Sequence, residues 1–215
     1  MAQQERARRT RAAIVEAAAF EFSRRGYAAA SVNTILEGSR ATKGAMYFHF
    51  ASKEELARAV LKTAAEEYVA ITGKKRSDDL DPFEKLHEVV VDLATEFKAN
   101  VIVQAEFRLI IEPEFYSGMR TGAGQIWGRT AFELAEEAAR LGILKSGVEP
   151  SKFTRVLAAC LAGQRYMADL MAVDTDLSAL FEESLEVVLS AMATPEWLAR
   201  WDERGWPIRD AASVE

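Results

Sequence analysis

Apolar residues along this chain recur at the three- and four-residue intervals of helices, and strand-like alternation is hard to find. Ile14, Ala18 and Phe22 fall on one stripe, and Gly26, behind the cations Arg24 and Arg25, predicts where that helix stops. Ser31 is the expected N-cap of a short helix with Val32, Ile35 and Leu36 on its apolar face. A turn at Gly38-Ser39-Arg40-Ala41 leads to a second expected cap, Thr42, and to the helical segment KGAMYFHF. Ser52 followed by Glu55 reads as a capping box, opening a long helix with Leu56, Val60 and Ala64 that ends near Gly73.

The polar stretch KKRSDDLD (74–81) then interrupts the pattern and is the best candidate for a boundary. Asp81-Pro82 opens a helix with Leu86, Val90, Leu93 and Phe97 inward, and the apolar segment VIVQAEFRLII stops before Pro113. A glycine-containing loop is expected over 117–124, with later helices near 125–141, 151–173, 177–193 and 196–204. The expectation is an all-α protein. A three-helix head of helix-turn-helix plan with a basic arm, residues 1–53, leads by a long helix into a larger helical bundle, residues 54–215.

With 215 residues, 49% of them hydrophobic, the chain can bury a substantial core. No apolar run approaches the ~20 residues of a membrane-spanning helix, so no membrane partner is expected. MAQQERARRTR lacks the apolar stretch of a secretory signal, and the single Cys160 builds neither an internal disulfide nor a cysteine metal site. A cytoplasmic setting follows, with association to the nucleoid when DNA is bound. Two histidines, His49 and His87, and one cysteine allow few nucleophile–base sets, and GSRATKGA links two helices rather than a strand and a helix. Neither catalysis nor a metal or other cofactor is expected.

Charge changes the picture. Residues 1–53 hold nine Lys/Arg against four Glu, a net of +5, while the remainder carries −11. A basic head that meets a polyanion and an acidic body that does not is the simplest reading. In a helix-turn-helix the second helix enters the major groove N-terminus first. Thr42 there offers its hydroxyl and the free first-turn N–H groups to a phosphate. Lys43 points outward and reaches guanine or phosphate. Gly44 and Ala45 let the backbone approach base edges, and Tyr47, one turn beyond Lys43, reaches a phosphate through its hydroxyl. Met46 and Phe50 are expected inward. Phe48 is either head core or an apolar contact to sugar and base, His49 either structural or a phosphate contact, and Lys53 a phosphate contact or an ordinary surface lysine. Of the arm residues Arg6, Arg8, Arg9 and Arg11, some are expected to lack order without DNA and to reach its phosphates or minor groove.

TKGAMYFHFASKEEL, with RTRAAIVEAAAFEFSRRGYAAASV before it, resembles the DNA-binding head of the tetracycline-repressor (TetR) family over residues 6 to about 60. The form TKGA-x-YFHF-x-SKEEL is most similar to the γ-butyrolactone receptors, a branch controlling antibiotic production and development in actinomycetes. QAEFRL (104–109) and Trp127 match positions where that branch has an Arg-Leu pair and a ligand-contacting Trp. The sequence departs at the turn, where many members have Ala-Gly-Val and this chain has Ser39-Arg40-Ala41. If the corner residue has a positive φ, Arg40 carries a strain of about 1 kcal/mol that glycine would not. At that corner Arg40 would also sit close to DNA and could add a phosphate contact.

The resemblance implies a homodimeric repressor on palindromic double-stranded operator DNA, released by a small γ-butyrolactone-like effector. A related regulator answering to an antibiotic, furan or butenolide, or to no ligand, stays open, as does a helical ligand carrier without DNA function. It also implies Trp127 as a ligand contact. Tyr68, Gln104, Gln164 and Tyr166 are candidates for the few polar groups of a mostly apolar pocket, with ordinary packing or surface as the alternative for each. Glu106 and Arg108 are expected to pair with neighbours, and Cys160 to be a small buried hydrophobe. The apolar faces of the 151–173 and 177–193 helices (Val156, Leu157, Leu161, Met167; Leu180, Leu185, Val188, Leu189) are expected to form the dimer interface.

Overall fold

The second, third and fourth helices of the chain each start where a short side chain satisfies a free N–H group. In the computed structural model, which describes residues 1–115, 122–171 and 176–207, helices α1 to α4 span Ala2–Ala29, Val32–Ser39, Lys43–His49 and Lys53–Thr72. The Ser31 hydroxyl accepts from the Thr34 N–H, Thr42 from Ala45 (3.1 Å) and Ser52 from Glu55 (3.1 Å). The reciprocal arm of the capping box lands one residue early: the Glu55 carboxylate accepts the Ala51 N–H at 2.6 Å. Gly26, at φ 72° and ψ 176°, breaks α1 where the sequence predicts a stop, in a region that L side chains rarely adopt.

Beyond the head run α5 (Pro82–Ala99), α6 (Val101–Ile110), a single 3-10 turn (Pro113–Phe115), α7 (Ala123–Arg140), α8 (Pro150–Met171), α9 (Leu177–Met192) and α10 (Pro195–Arg204). The fold is all-α, with an N-terminal helix-turn-helix domain and a C-terminal helical domain. The expected loop at 117–121 and the expected helix end at Val173 lie outside the described residues.

The chain divides into two compact units, and the first joins residues 1–73 to 96–127. Its core holds Ile14, Ala18 and Phe22 of α1, Ile35 of α2, Met46 and Phe50 at α3, and Leu56 and Val60 of α4. Ile102, Ala105 and Leu109 of α6 and Phe115 complete the same layer. Asn100 caps α6 by accepting the Ile102 N–H at 3.0 Å.

The second unit, residues 74–95 and 128–215, packs α8 on α9. Here the structure corrects an expectation. Leu157, Leu161, Leu185, Val188 and Leu189 are buried within the one chain, so they fill its own core rather than await a second copy. Cys160 is only half-buried. The α10 helix is held by Trp197, whose indole N–H donates to Asp81 at 2.6 Å and whose ring meets Phe83 edge-on.

Two further findings differ from the sequence reading, and a third fixes the conformation of the corner at Arg40. The basic arm is helical from Ala2 rather than partly without order. Arg40 sits at φ 53° and ψ 26°, the left-handed region, at a cost of about 1 kcal/mol relative to glycine. Glu106 is 3% exposed, and burial alone pushes its carboxyl up to about 7. Between about pH 4.5 and 7 the folded chain therefore holds a proton that the unfolded chain gives up. Stability falls as pH rises through that window, by about 3 kcal/mol in all. Glu106→Gln should raise the urea-denaturation free energy by about that amount at pH 8 and by under about 1 kcal/mol at pH 5. Equal effects at both pH values would contradict a protonated carboxyl.

Candidate nucleic-acid interface

The α3 helix is two-faced. Met46 and Phe50 are fully buried in the head core, and they hold the opposite face outward. On that face Lys43 is exposed, Tyr47 is 49% exposed and Phe48 80% exposed. Phe48 is thus not head core; its ring stands edge-on to half-buried His49 at 5.0 Å. A Cβ built on Gly44 would meet nothing nearer than the Thr42 hydroxyl, 4.0 Å away, so the first turn is open to an approaching partner. Thr42 and Gly44 are exposed and Ala45 half-buried, leaving a capped but solvent-facing helix N-terminus between the side chains of Lys43 and Tyr47.

This face is braced from behind. Glu21 of α1, buried, accepts the Ser31 N–H at 3.1 Å and the Arg25 guanidinium at 3.3 Å, which pins the start of α2. The Lys53 ammonium is turned into the fold rather than toward an incoming phosphate. It donates to the carbonyls of Tyr27 (2.8 Å), Ala28 (3.4 Å) and Ala30 (3.2 Å), and lies 4.6 Å from the centre of the Tyr27 ring. A cation there meets carbonyls at the end of α1, where the helix supplies few N–H partners. The Tyr27 ring in turn stands edge-on to Phe115 at 4.9 Å, and burial raises the Tyr27 hydroxyl above its usual range.

On the helical arm, Arg6, Arg8 and Arg11 are all exposed. Arg9 reaches Glu5 at 3.2 Å and Arg8 the same carboxylate at 4.0 Å. Such exposed pairs contribute little and yield readily to a phosphate. Arg11 lies over the Phe50 ring at 5.0 Å, which ties the root of the arm to the end of α3.

The expected effector residues divide between the units. Tyr68, Gln104 and Trp127 belong to the first, Gln164 and Tyr166 to the second. Tyr68 and Trp127 are buried, and among the described residues the Trp127 indole N–H has no acceptor. A buried donor left unmatched costs about 1–3 kcal/mol, which an incoming acceptor relieves. Gln104 uses its amide N–H groups on the carbonyls of Phe97 (2.9 Å) and Lys98 (3.2 Å), closing the end of α5. Gln164 is half-buried and Tyr166 is 47% exposed. Among the described residues no cluster of His, Cys, Asp or Glu could hold a metal ion, and no helix is long and apolar enough to cross a membrane.

Residues 14–60 match the model of the tetR family of bacterial regulatory proteins. The A-factor receptor protein of Streptomyces griseus is 28% identical over 207 residues, 95% of this chain and 71% of that protein. A solved structure described as the molecular basis for control of antibiotic production by bacterial hormones shares 30% identity. Its TM-score is 0.71, with 86% of this chain and 98% of that one covered. TylP, a tetR regulator of Streptomyces fradiae, shares 27% identity with TM-score 0.66, over 92% and 85% of the two chains.

Lys53 gives the sharpest test of the brace. Lys53→Met keeps the aliphatic stem and removes the ammonium, and should cost about 2 kcal/mol of stability by urea denaturation. A change within about 0.5 kcal/mol, as for an ordinary surface lysine, would show that the three carbonyls do not depend on it.

Proposed function

The chain belongs to the tetR family of bacterial regulatory proteins, and on that premise we propose that it is a repressor that leaves its DNA when a small effector binds. The DNA is a palindromic operator, held by a dimer on the nucleoid in the cytoplasm, and the effector is γ-butyrolactone-like. The observation that carries the DNA half is the outward face of α3, where Lys43, Tyr47 and Phe48 stand exposed around a capped, open N-terminus. Phosphates seat on such a terminus, and base edges lie within reach of its first side chains.

Regulators of this family bind DNA as dimers and respond to small molecules. One short helix reads few bases, and paired heads read a palindrome when their recognition helices lie about 34–36 Å apart. Support for a second copy docking on α8 and α9 comes from exposed Tyr166, Met167 and Val187, with small Ala162 and Gly163 nearby on α8.

The effector half is supported by Trp127, buried with an unmatched donor. A lactone ring offers an apolar body for the indole face and a carbonyl for its N–H. Release then needs a path to α3. Ile102, Ala105 and Leu109 of α6 share one close-packed layer with Met46 and Phe50, so a shift of α6 displaces the recognition helix and alters the spacing of paired heads. A coupling of about 1–3 kcal/mol would be typical, and operator DNA must weaken the effector by the same factor.

Fluorescence anisotropy with duplexes from the chain's own upstream region tests the whole reading; the absence of a salt-sensitive, sequence-preferring complex would overturn it. Lys43→Ala should weaken operator binding by about 1–3 kcal/mol where the lysine reads a guanine. If it grips only phosphate, all sequences should weaken alike and the salt slope should fall by about one per head. Trp127→Phe keeps the aromatic face and removes the donor. It should bind operator normally yet need about tenfold more of a synthetic γ-butyrolactone for release. An unshifted release curve would remove Trp127 from the effector site.

A further inference from the structure

Nine cations lie in residues 1–53, and the fold engages six of them. Arg8 and Arg9 lean on Glu5, and Arg25 on Glu21. Arg11 and Arg24 sit over the rings of Phe50 and Phe20, and Lys53 holds three carbonyls. Arg6, Arg40 and Lys43 are left without an acidic or aromatic partner among the described residues. Two of these three, Arg40 and Lys43, flank Thr42, the cap of the recognition helix.

Arg40 is also the single non-glycine residue with positive φ among the described residues. It closes α2 in a Schellman arrangement: its own N–H donates to the Glu37 carbonyl at 3.2 Å, and the Ala41 N–H to Leu36 at 3.2 Å. Glycine is the residue favoured at that corner, because it reaches the left-handed region without strain. The Arg40 side chain returns nothing to the fold for the strain it carries. It is exposed, and although it borders an open cleft of about 560 Å³ with Glu16 and Glu37, it pairs with neither. Strain of this kind collects at functional positions.

We propose that Arg40 is a phosphate-gripping residue of the DNA interface, an inference that rests on the DNA-binding reading above. When α3 enters a major groove N-terminus first, the preceding turn rides at the groove edge, beside the sugar-phosphate backbone. A planar guanidinium grips phosphate oxygens in pairs, which an ammonium does not. Arg40 and Lys43 then bracket the α3 cap, with Arg40 fixing how deeply the helix seats. The grip is blind to sequence.

The test uses the full chain and two duplexes, one from its own upstream region and one of arbitrary sequence, titrated over a range of salt. Arg40→Gly should raise the melting temperature by about 2–4 °C by relieving the strain. The same variant should bind both duplexes several-fold more weakly, with the salt slope lower by about one per head. Arg40→Ala should lose the same slope without the gain in melting temperature, and Arg40→Lys should keep the slope but bind more weakly than the parent. If the parent binds DNA and Arg40→Gly leaves its salt slope unchanged, the grip is overturned and the repressor reading stands. If the parent forms no salt-sensitive complex with either duplex, both fall together.

Discussion

The DNA-binding head of this protein does not enclose its core alone. Three helices within about fifty residues bury a smaller fraction of their surface than a larger domain does. Phe22, Ile35, Met46 and Phe50 need a further wall, and Leu56 and Val60 of α4 with Ile102, Leu109 and Phe115 supply it. Fully burying such a side chain contributes about 1.5–3 kcal/mol, so the wall is worth a large share of a domain's net stability. The exposed face of α3 is a consequence of that burial. Lys43, Tyr47 and Phe48 are held outward because Met46 and Phe50 are held inward.

The same sharing makes a switch possible without a dedicated linkage. A close-packed layer moves as discrete pieces rather than deforming smoothly. Anything that biases the position of α6 therefore bears on α1 and α4, which pack against it, and through α1 on α3. The α6 helix carries an unusual passenger in Glu106, a carboxyl buried without a counter-charge among the described residues, which holds its proton to about pH 7. Burial of that group costs stability at neutral pH, which leaves α6 less firmly anchored than its apolar neighbours alone would make it.

Much of this was legible in the residues. The caps Ser31, Thr42 and Ser52 announce themselves by type and position, and helical periodicity separates Met46 and Phe50 from Lys43 and Tyr47. What periodicity does not reveal is which of two apolar surfaces a residue meets. Leu157 and Leu185 have the spacing of an interface and are instead buried within one chain, in the unit where α8 packs on α9. Lys53 reads as a surface cation because its three carbonyl partners sit more than twenty residues away. Phe48 could not be placed without the fold, since a helix this short gives an aromatic side chain two plausible faces. Arg40 was different: the sequence raises a strained corner there only as a condition, and the structure meets that condition with a positive φ.

The dependence of the head on α6 also bears on how the protein is made. Residues 101–115 leave the ribosome roughly forty to fifty positions after Val60, a lag of several seconds at about 5–20 residues per second. Through that lag the recognition helix has emerged but its supporting layer is missing a wall. Contacts so distant in sequence also form late, because the intervening loop must close first. The layer behind α3 is thus complete only once the helix through which the proposed release signal travels has been made.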